Sequence, residues 1–182
     1  MLTGRYVGLR AIEQADLPQL LQWRNDPQLR RYFREYRELN HTQQQQWFET
    51  KVNADPTTRM FAIVDKSNSR LLGACGLCYV DWVNRTADFS IYIGADGLYI
   101  DQRFAPDAAH VLARYAFDEL CLHRLWSEIY AFDTPKQGFF TALGFKLDGR
   151  HRGTHWAEGQ WHDSLYFSLL SSDPFPGLNE CG

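Results

Sequence analysis

Segments whose apolar residues recur every three to four positions are interleaved with segments whose apolar residues alternate or run together. Leu17, Leu20, Leu21 and Trp23 follow helical spacing behind the capping residue Asp16, and Asn25-Asp26-Pro27 predicts the end of that helix. Thr42 with Gln45 has the form of a capping box ahead of Trp47, Phe48 and Val52, which predicts a second short helix near 43–53. Met60–Asp65 and Leu71–Tyr79, joined by polar Lys66–Arg70, read as paired strands, and Asn84-Arg85 turns the chain into a third at Thr86–Ile93. Ala108, Val111, Leu112, Tyr115, Ala116 and Leu120 form one helical stripe over about 106–120, with Pro106 in its first turn. Leu125–Phe132 predicts a strand, Thr134–Leu143 a helix closed by Gly144, and Phe145–Asp148 with Ser164–Leu170 a final hairpin. The order predicts one α/β domain over 1–170 with a mixed sheet, followed by a loose tail at 171–182.

Composition narrows the function classes. Hydrophobic residues make up 45% and charged residues 23% of the 182 positions, as in a packed globular protein. Nineteen Lys and Arg against 22 Asp and Glu give a net charge of −3, which supplies no field to gather nucleic acid or an anionic membrane. Residues 1–10 lack signal-peptide form and no apolar run approaches about 18 residues, so a cytoplasmic protein is expected, monomeric or homodimeric. Cys75 and Cys78 lie three apart on a predicted strand, hence on opposite faces, and are expected to be core residues. His151, His155, His162 and Asp163 match no established ligand spacing, so no metal is expected.

Trp23-Arg24-Asn25-Asp26-Pro27, Gln46-Trp47, Phe89-Ser90-Ile91-Tyr92-Ile93-Gly94, Tyr115-Ala116-Phe117, Leu122-His123-Arg124, Leu143-Gly144-Phe145 and Asp148-Gly149-Arg150 occur in one order over roughly residues 5–170. In that order the chain resembles the GNAT superfamily. The likeness is to its branch of ribosomal-protein N-terminal acetyltransferases and amino-sugar N-acetyltransferases. The resemblance implies an α+β fold with a mostly antiparallel central sheet flanked by helices. It also implies acetyl-CoA as co-substrate and a small-molecule amine as acceptor, most readily an amino sugar or nucleotide-linked amino sugar. The alternatives are a protein N-terminus, or a degenerate binding protein without catalysis.

The resemblance also assigns residues. The family's pyrophosphate turn, Gln/Arg-x-x-Gly-x-Gly/Ala, falls on Ile100, Arg103 and Ala105, of which only Ala105 matches; Gln102, Arg103, Phe104, Ala105, Asp107 and Ala108 are the implied cofactor-binding residues there. Arg103 either obstructs the phosphates or replaces lost donors, one of which Pro106 has removed. The second motif falls on Asp133, Lys136 and Phe140, so the family's acidic tyrosine is a phenylalanine here. Lys136 either neutralises CoA phosphate or is a solvated helix lysine. Backbone groups of Ile91, Tyr92 and Ile93 are expected to line the pantetheine. Asp88 is the candidate base, or else an exposed strand-end carboxylate, and Tyr130 the nearest hydroxyl to serve as acid, or else a core tyrosine. Trp23, Arg24, Arg34, Glu35 and Arg37 form the candidate acceptor grip, whose Arg residues suit a phosphorylated sugar, or else a solvated face.

Overall fold

The computed structural model describes residues 1–175. Among the described residues, strands β1 (Leu2–Thr3), β2 (Val7–Ala11), β3 (Arg59–Asp65), β4 (Leu71–Asp81), β5 (Thr86–Ile93), β6 (Arg124–Tyr130), β7 (Lys146–Ala157) and β8 (Gln160–Leu170) form one sheet in the order β1-β2-β3-β4-β5-β6-β8-β7. Every neighbouring pair is antiparallel except β5 and β6. The expected mixed, mostly antiparallel sheet is therefore present, and so is the reason for its one parallel pair. Between β5 and β6 runs a helical crossover, α4 (Phe104–Arg114), and a parallel partner needs such a connection.

Helix α1 (Leu17–Asn25) lies where expected, and Asp26, which ends it, caps a further short helix α2 (Pro27–Arg30) through its carboxylate on the Gln28 N–H. Helix α3 (His41–Trp47) starts two residues earlier than its apolar pattern suggests. Its reciprocal cap is made by Asn40 and Gln43, not Thr42 and Gln45, because Asn40 is the residue with extended backbone at the entry. Helix α5 (Thr134–Ala142) is closed by Gly144 at φ 87°, which suits a residue without Cβ. The final hairpin is much longer than expected. Residues 149–163, polar and rich in charge, continue both strands because β7 is the sheet edge and exposes most of its side chains to water.

Alternation along β5 divides the molecule. Ala87, Phe89, Ile91 and Ile93 face one side and are at most 1% exposed, whereas Asp88, Ser90 and Tyr92 face the other. The first side meets α5 through Phe140, which is fully buried among Phe89, Phe145 and Phe167. The second side meets α1 through Trp23, edge-on to Tyr92 at 6.5 Å. Trp23 is core, 8% exposed, and lies flat over Gly94. Phe175 is buried and its ring lies 4.7 Å from that of His110, so the chain is anchored at 175. The rest of the expected loose tail, 176–182, lies outside the described residues.

A Cβ on Gly94 would stand 2.1 Å from the Trp23 ring, too close for a buried indole to evade. Gly94→Ala is expected to destabilise the protein by about 1–3 kcal/mol, the usual cost of overpacking. The measurement is the urea midpoint at unchanged m-value.

Candidate active site

The single parallel pairing is short. Thr86, Ala87 and Asp88 pair with Arg124, Leu125 and Trp126; beyond them, among the described residues, β5 keeps only β4 as a neighbour and β6 only β8. The strands diverge, and the split between them opens a cavity of about 400 Å³ whose wall includes Asp88, Ser90, Ile91, Tyr92, Glu128 and Tyr130. On the far side of the sheet, the start of α4 and the face of α5 enclose a second groove of about 510 Å³, lined by Ile100, Asp101, Gln102, Pro106 and residues of α5.

The cavity at the split is charged at its centre. Asp88, 4% exposed, accepts a hydrogen bond from Arg34 at 2.9 Å. Burial pushes its carboxyl above the ordinary aspartate value, against the pull of the Arg34 guanidinium. Asp88 is thus no exposed strand-end carboxylate. Tyr130 stacks on His155 at 3.7 Å, and burial keeps its phenol protonated beyond the usual range. Arg24 lines the same cavity, held over the Phe33 and Trp47 rings at 6.0 and 5.8 Å, and makes no hydrogen bond or ion pair with a described residue. Glu35 is bound by Arg37, whose guanidinium at 2.7–2.8 Å holds the carboxyl at about 2.

On the other face, Asp101 sits two residues before the entry to α4. Its carboxylate accepts from the N–H groups of Arg103, Phe104 and Ala105 at 2.9, 2.8 and 2.7 Å. These three donors converge on an anion at a helix N-terminus, the contact set that a phosphate oxygen makes. The Arg103 guanidinium lies 4.6 Å from the Tyr6 ring centre and 5.0 Å from that of Phe104.

Lys136 contradicts its reading as a solvated helix lysine. It is 9% exposed, lines the split, and touches the Tyr99 ring at 5.4 Å. Tyr99 in turn donates from its hydroxyl to Asp133 at 2.7 Å, and Asp133 caps α5 through the Lys136 N–H.

The residues from 7 to 146 match the family model described as "Acetyltransferase (GNAT) domain". The chain belongs to the GNAT acetyltransferases. The uncharacterized N-acetyltransferase p20 of Bacillus licheniformis is 25% identical over 167 residues, 91% of this chain and 93% of p20. Spermidine N-acetyltransferase of Vibrio cholerae, solved with CoA and spermine, superposes with a TM-score of 0.83 at 21% identity, covering 92% of this chain and 96% of that one. A GCN5-related N-acetyltransferase of Brucella melitensis gives 0.77 at 25% identity, covering 94% and 78%.

In this acetyltransferase the residues fit an acyl-CoA. Asp101 accepts from three N–H groups at the start of α4, a donor set that suits a phosphate, Gln102 lines the groove, and Ile91 and Tyr92 line the split. Other expected contacts are spent elsewhere. The Ile93 N–H donates to the Tyr99 carbonyl at 2.9 Å. The Asp107 carboxylate accepts from the N–H groups of Arg5, Tyr6 and Val7, pinning the N-terminal turn, and Ala108 is core. Phe140 belongs to the aromatic core, and Trp23 packs against Gly94 and Tyr92. Sequence reasoning missed Asp101, Tyr99, Glu128 and Tyr79, the last 65% exposed at the cavity with φ 51°. An Asp two residues ahead of a helix entry was the one signal available for Asp101.

Removing Asp101 has two opposite consequences. Asp101→Ala is expected to destabilise the free protein by about 0.5–2 kcal/mol through loss of the cap. It is also expected to tighten acetyl-CoA by a similar amount, because the phosphate no longer competes for the three N–H groups. Thermal melts without ligand and calorimetry with it read the two signs separately.

Proposed function

We propose that this enzyme acetylates the primary amine of a small, hydroxyl-rich molecule carrying an anionic group, such as an amino sugar or nucleotide-linked amino sugar. Acetyl-CoA supplies the acetyl thioester when bound across the split. The observation that carries the acceptor class is Arg24, a guanidinium at the cavity wall with no hydrogen bond or ion pair to a described residue. Arg forms paired hydrogen bonds to phosphate or carboxylate, and the exposed Tyr79 ring offers a stacking surface beside it.

Asp88 takes the amine proton in this reading. Its carboxyl faces the cavity, and a pKa raised by burial brings it closer to an amine than an ordinary aspartate is. Arg34 holds it in place, and Tyr130 with Glu128 closes the acceptor side. A polyamine acceptor is the second reading. Glu128 and Asp88 give it carboxylates, and spermidine enzymes of Vibrio cholerae share the fold, while Arg24 and Arg34 oppose a polycation.

The test is mass spectrometry of products from acetyl-CoA with amino sugars, nucleotide amino sugars, spermidine and short peptides. Preference for spermidine or a peptide overturns the acceptor assignment. With the preferred acceptor, Arg24→Ala is expected to raise KM about 10–100-fold, the worth of a charged hydrogen bond, with kcat little changed. Asp88→Asn is expected to lower kcat by roughly 10²–10⁴-fold. A base must be ionised, so wild-type kcat/KM is expected to fall as pH drops through the Asp88 pKa, above the ordinary 3.8. That limb is absent from the Asp88→Asn profile.

A further inference from the structure

The family's proton donor to the leaving thiolate is missing, since position 140 is a phenylalanine sealed in the core. We propose that Lys136 is the catalytic acid that protonates the departing CoA sulfur, an assignment that rests on the acetyl-transfer reading above. Lys136 stands one helical turn before Phe140, on the same stripe of α5, and its longer side chain reaches the split that the Phe140 ring does not.

Position separates Lys136 from the competing acid. Asp88 pairs with Trp126 across β5 and β6, and Tyr130 lies four residues beyond Trp126, so Asp88 and Tyr130 share one face of the sheet. Arg34 bonds to Asp88 on that same face. Helix α5, which carries Lys136, packs on the opposite face, where Phe140 meets Phe89. Base and acid therefore approach the split from opposite sides, the amine arriving on one and the thiol leaving on the other. Tyr130 is on the amine's side.

The surroundings of Lys136 suit proton transfer. Its Nζ makes no hydrogen bond or ion pair with a described residue and lies 5.4 Å from the centre of the Tyr99 ring. Burial pushes the ammonium below the ordinary lysine value; Asp133 and Asp88 pull it back up, while the Arg34 charge pushes it down further. A lysine so lowered moves toward the acidity of an alkyl thiol, the matched condition for general acid catalysis. In the step itself the amine lone pair forms the C–N bond, and the C–S bond breaks with its electron pair on sulfur. The amine proton passes to Asp88, and an Nζ proton passes from Lys136 to sulfur. Neutral Lys136 regains a proton from water through the open cavity.

The test compares wild type with Lys136→Met and Lys136→Arg. Lys136→Met is expected to bind acetyl-CoA in calorimetry and to lose roughly 10²–10⁴-fold in kcat. Lys136→Arg is expected to remain as slow, because guanidinium keeps its charge but holds its proton too tightly to give it. Wild-type kcat is expected to fall as pH rises through the lowered Lys136 pKa, a limb absent from Lys136→Met. An acceptor-free readout is the ultraviolet titration of bound CoA. A nearby ammonium favours the thiolate, so the thiol is expected to titrate about 1–3 pH units lower on wild type than on Lys136→Met. Equal rates in wild type and Lys136→Met, recovery by Lys136→Arg, or equal thiol titrations overturn the assignment while leaving acetyl transfer intact. A wild-type protein that neither binds acetyl-CoA nor transfers acetyl overturns both.

Discussion

The divergence of β5 from β6 after three paired residues is the constraint on which the rest depends. Every backbone N–H and C=O that loses a strand neighbour must find another partner or face a ligand. Part of that debt is met internally, where the Ile93 N–H reaches the Tyr99 carbonyl. The remainder of the inner edges borders the cavity. A gap in the middle of a sheet is stable here because both flanks are tied to continuous antiparallel ladders, β4 on one side and β8 on the other. The helices then hold the two halves at their separation. Phe140 of α5 joins Phe89 of β5 to Phe167 of β8, and Tyr99 with Asp133 links the loop before α4 to the start of α5.

Charge is concentrated where the sheet opens. Asp88 and Lys136 are buried at the split and Asp133 is buried beside them, and among the described residues only Asp88 of the three has an ion pair. Buried charges are costly unless paired or hydrogen-bonded, so this cluster opposes stability. Tyr79 holds a positive φ at the irregular end of β4, a conformation that costs energy for a residue with a Cβ. Elsewhere charged pairs such as Arg70 with Asp96 and Arg124 with Asp148 lie at the surface and contribute little.

The two anion-related features differ in kind. Arg24 is a cation kept on an aromatic platform, while Asp101 is an anion placed on three backbone N–H donors at a helix N-terminus. An internal carboxylate on a helix N-terminus stabilises the free protein and sets a threshold that the incoming ligand must exceed. Pro106, which lacks an N–H, leaves Arg103, Phe104 and Ala105 as the available donors, and all three are engaged.

Periodicity alone determined the succession from β3 to β6 and α5, because burial of one face imposes a period of two on β5 and near 3.6 on α4, but β1, β2 and α2 were not read from it. It also determined that Asp88 sits on the opposite face from Phe89. It did not reach residues 149–163, whose strands are exposed at the edge and carry no apolar alternation. Nor did it distinguish the α3 caps, since Asn40 and Thr42 are both good capping residues and only the entry backbone selects one. Motif matching aligned Asp107, Phe140 and Trp23 with ligand-facing positions, but the direction of a side chain follows from what packs around it. Asp107 turns to the N-terminal strand turn, Phe140 to Phe89 and Phe167, and Trp23 to Gly94, each contact bridging residues far apart in the chain. Lys136 is the reverse case. Nothing in its neighbours along the chain marks it as buried, because its burial is produced by Tyr99, by the diverging strands and by Asp133, and these meet only when the sheet has closed around the split.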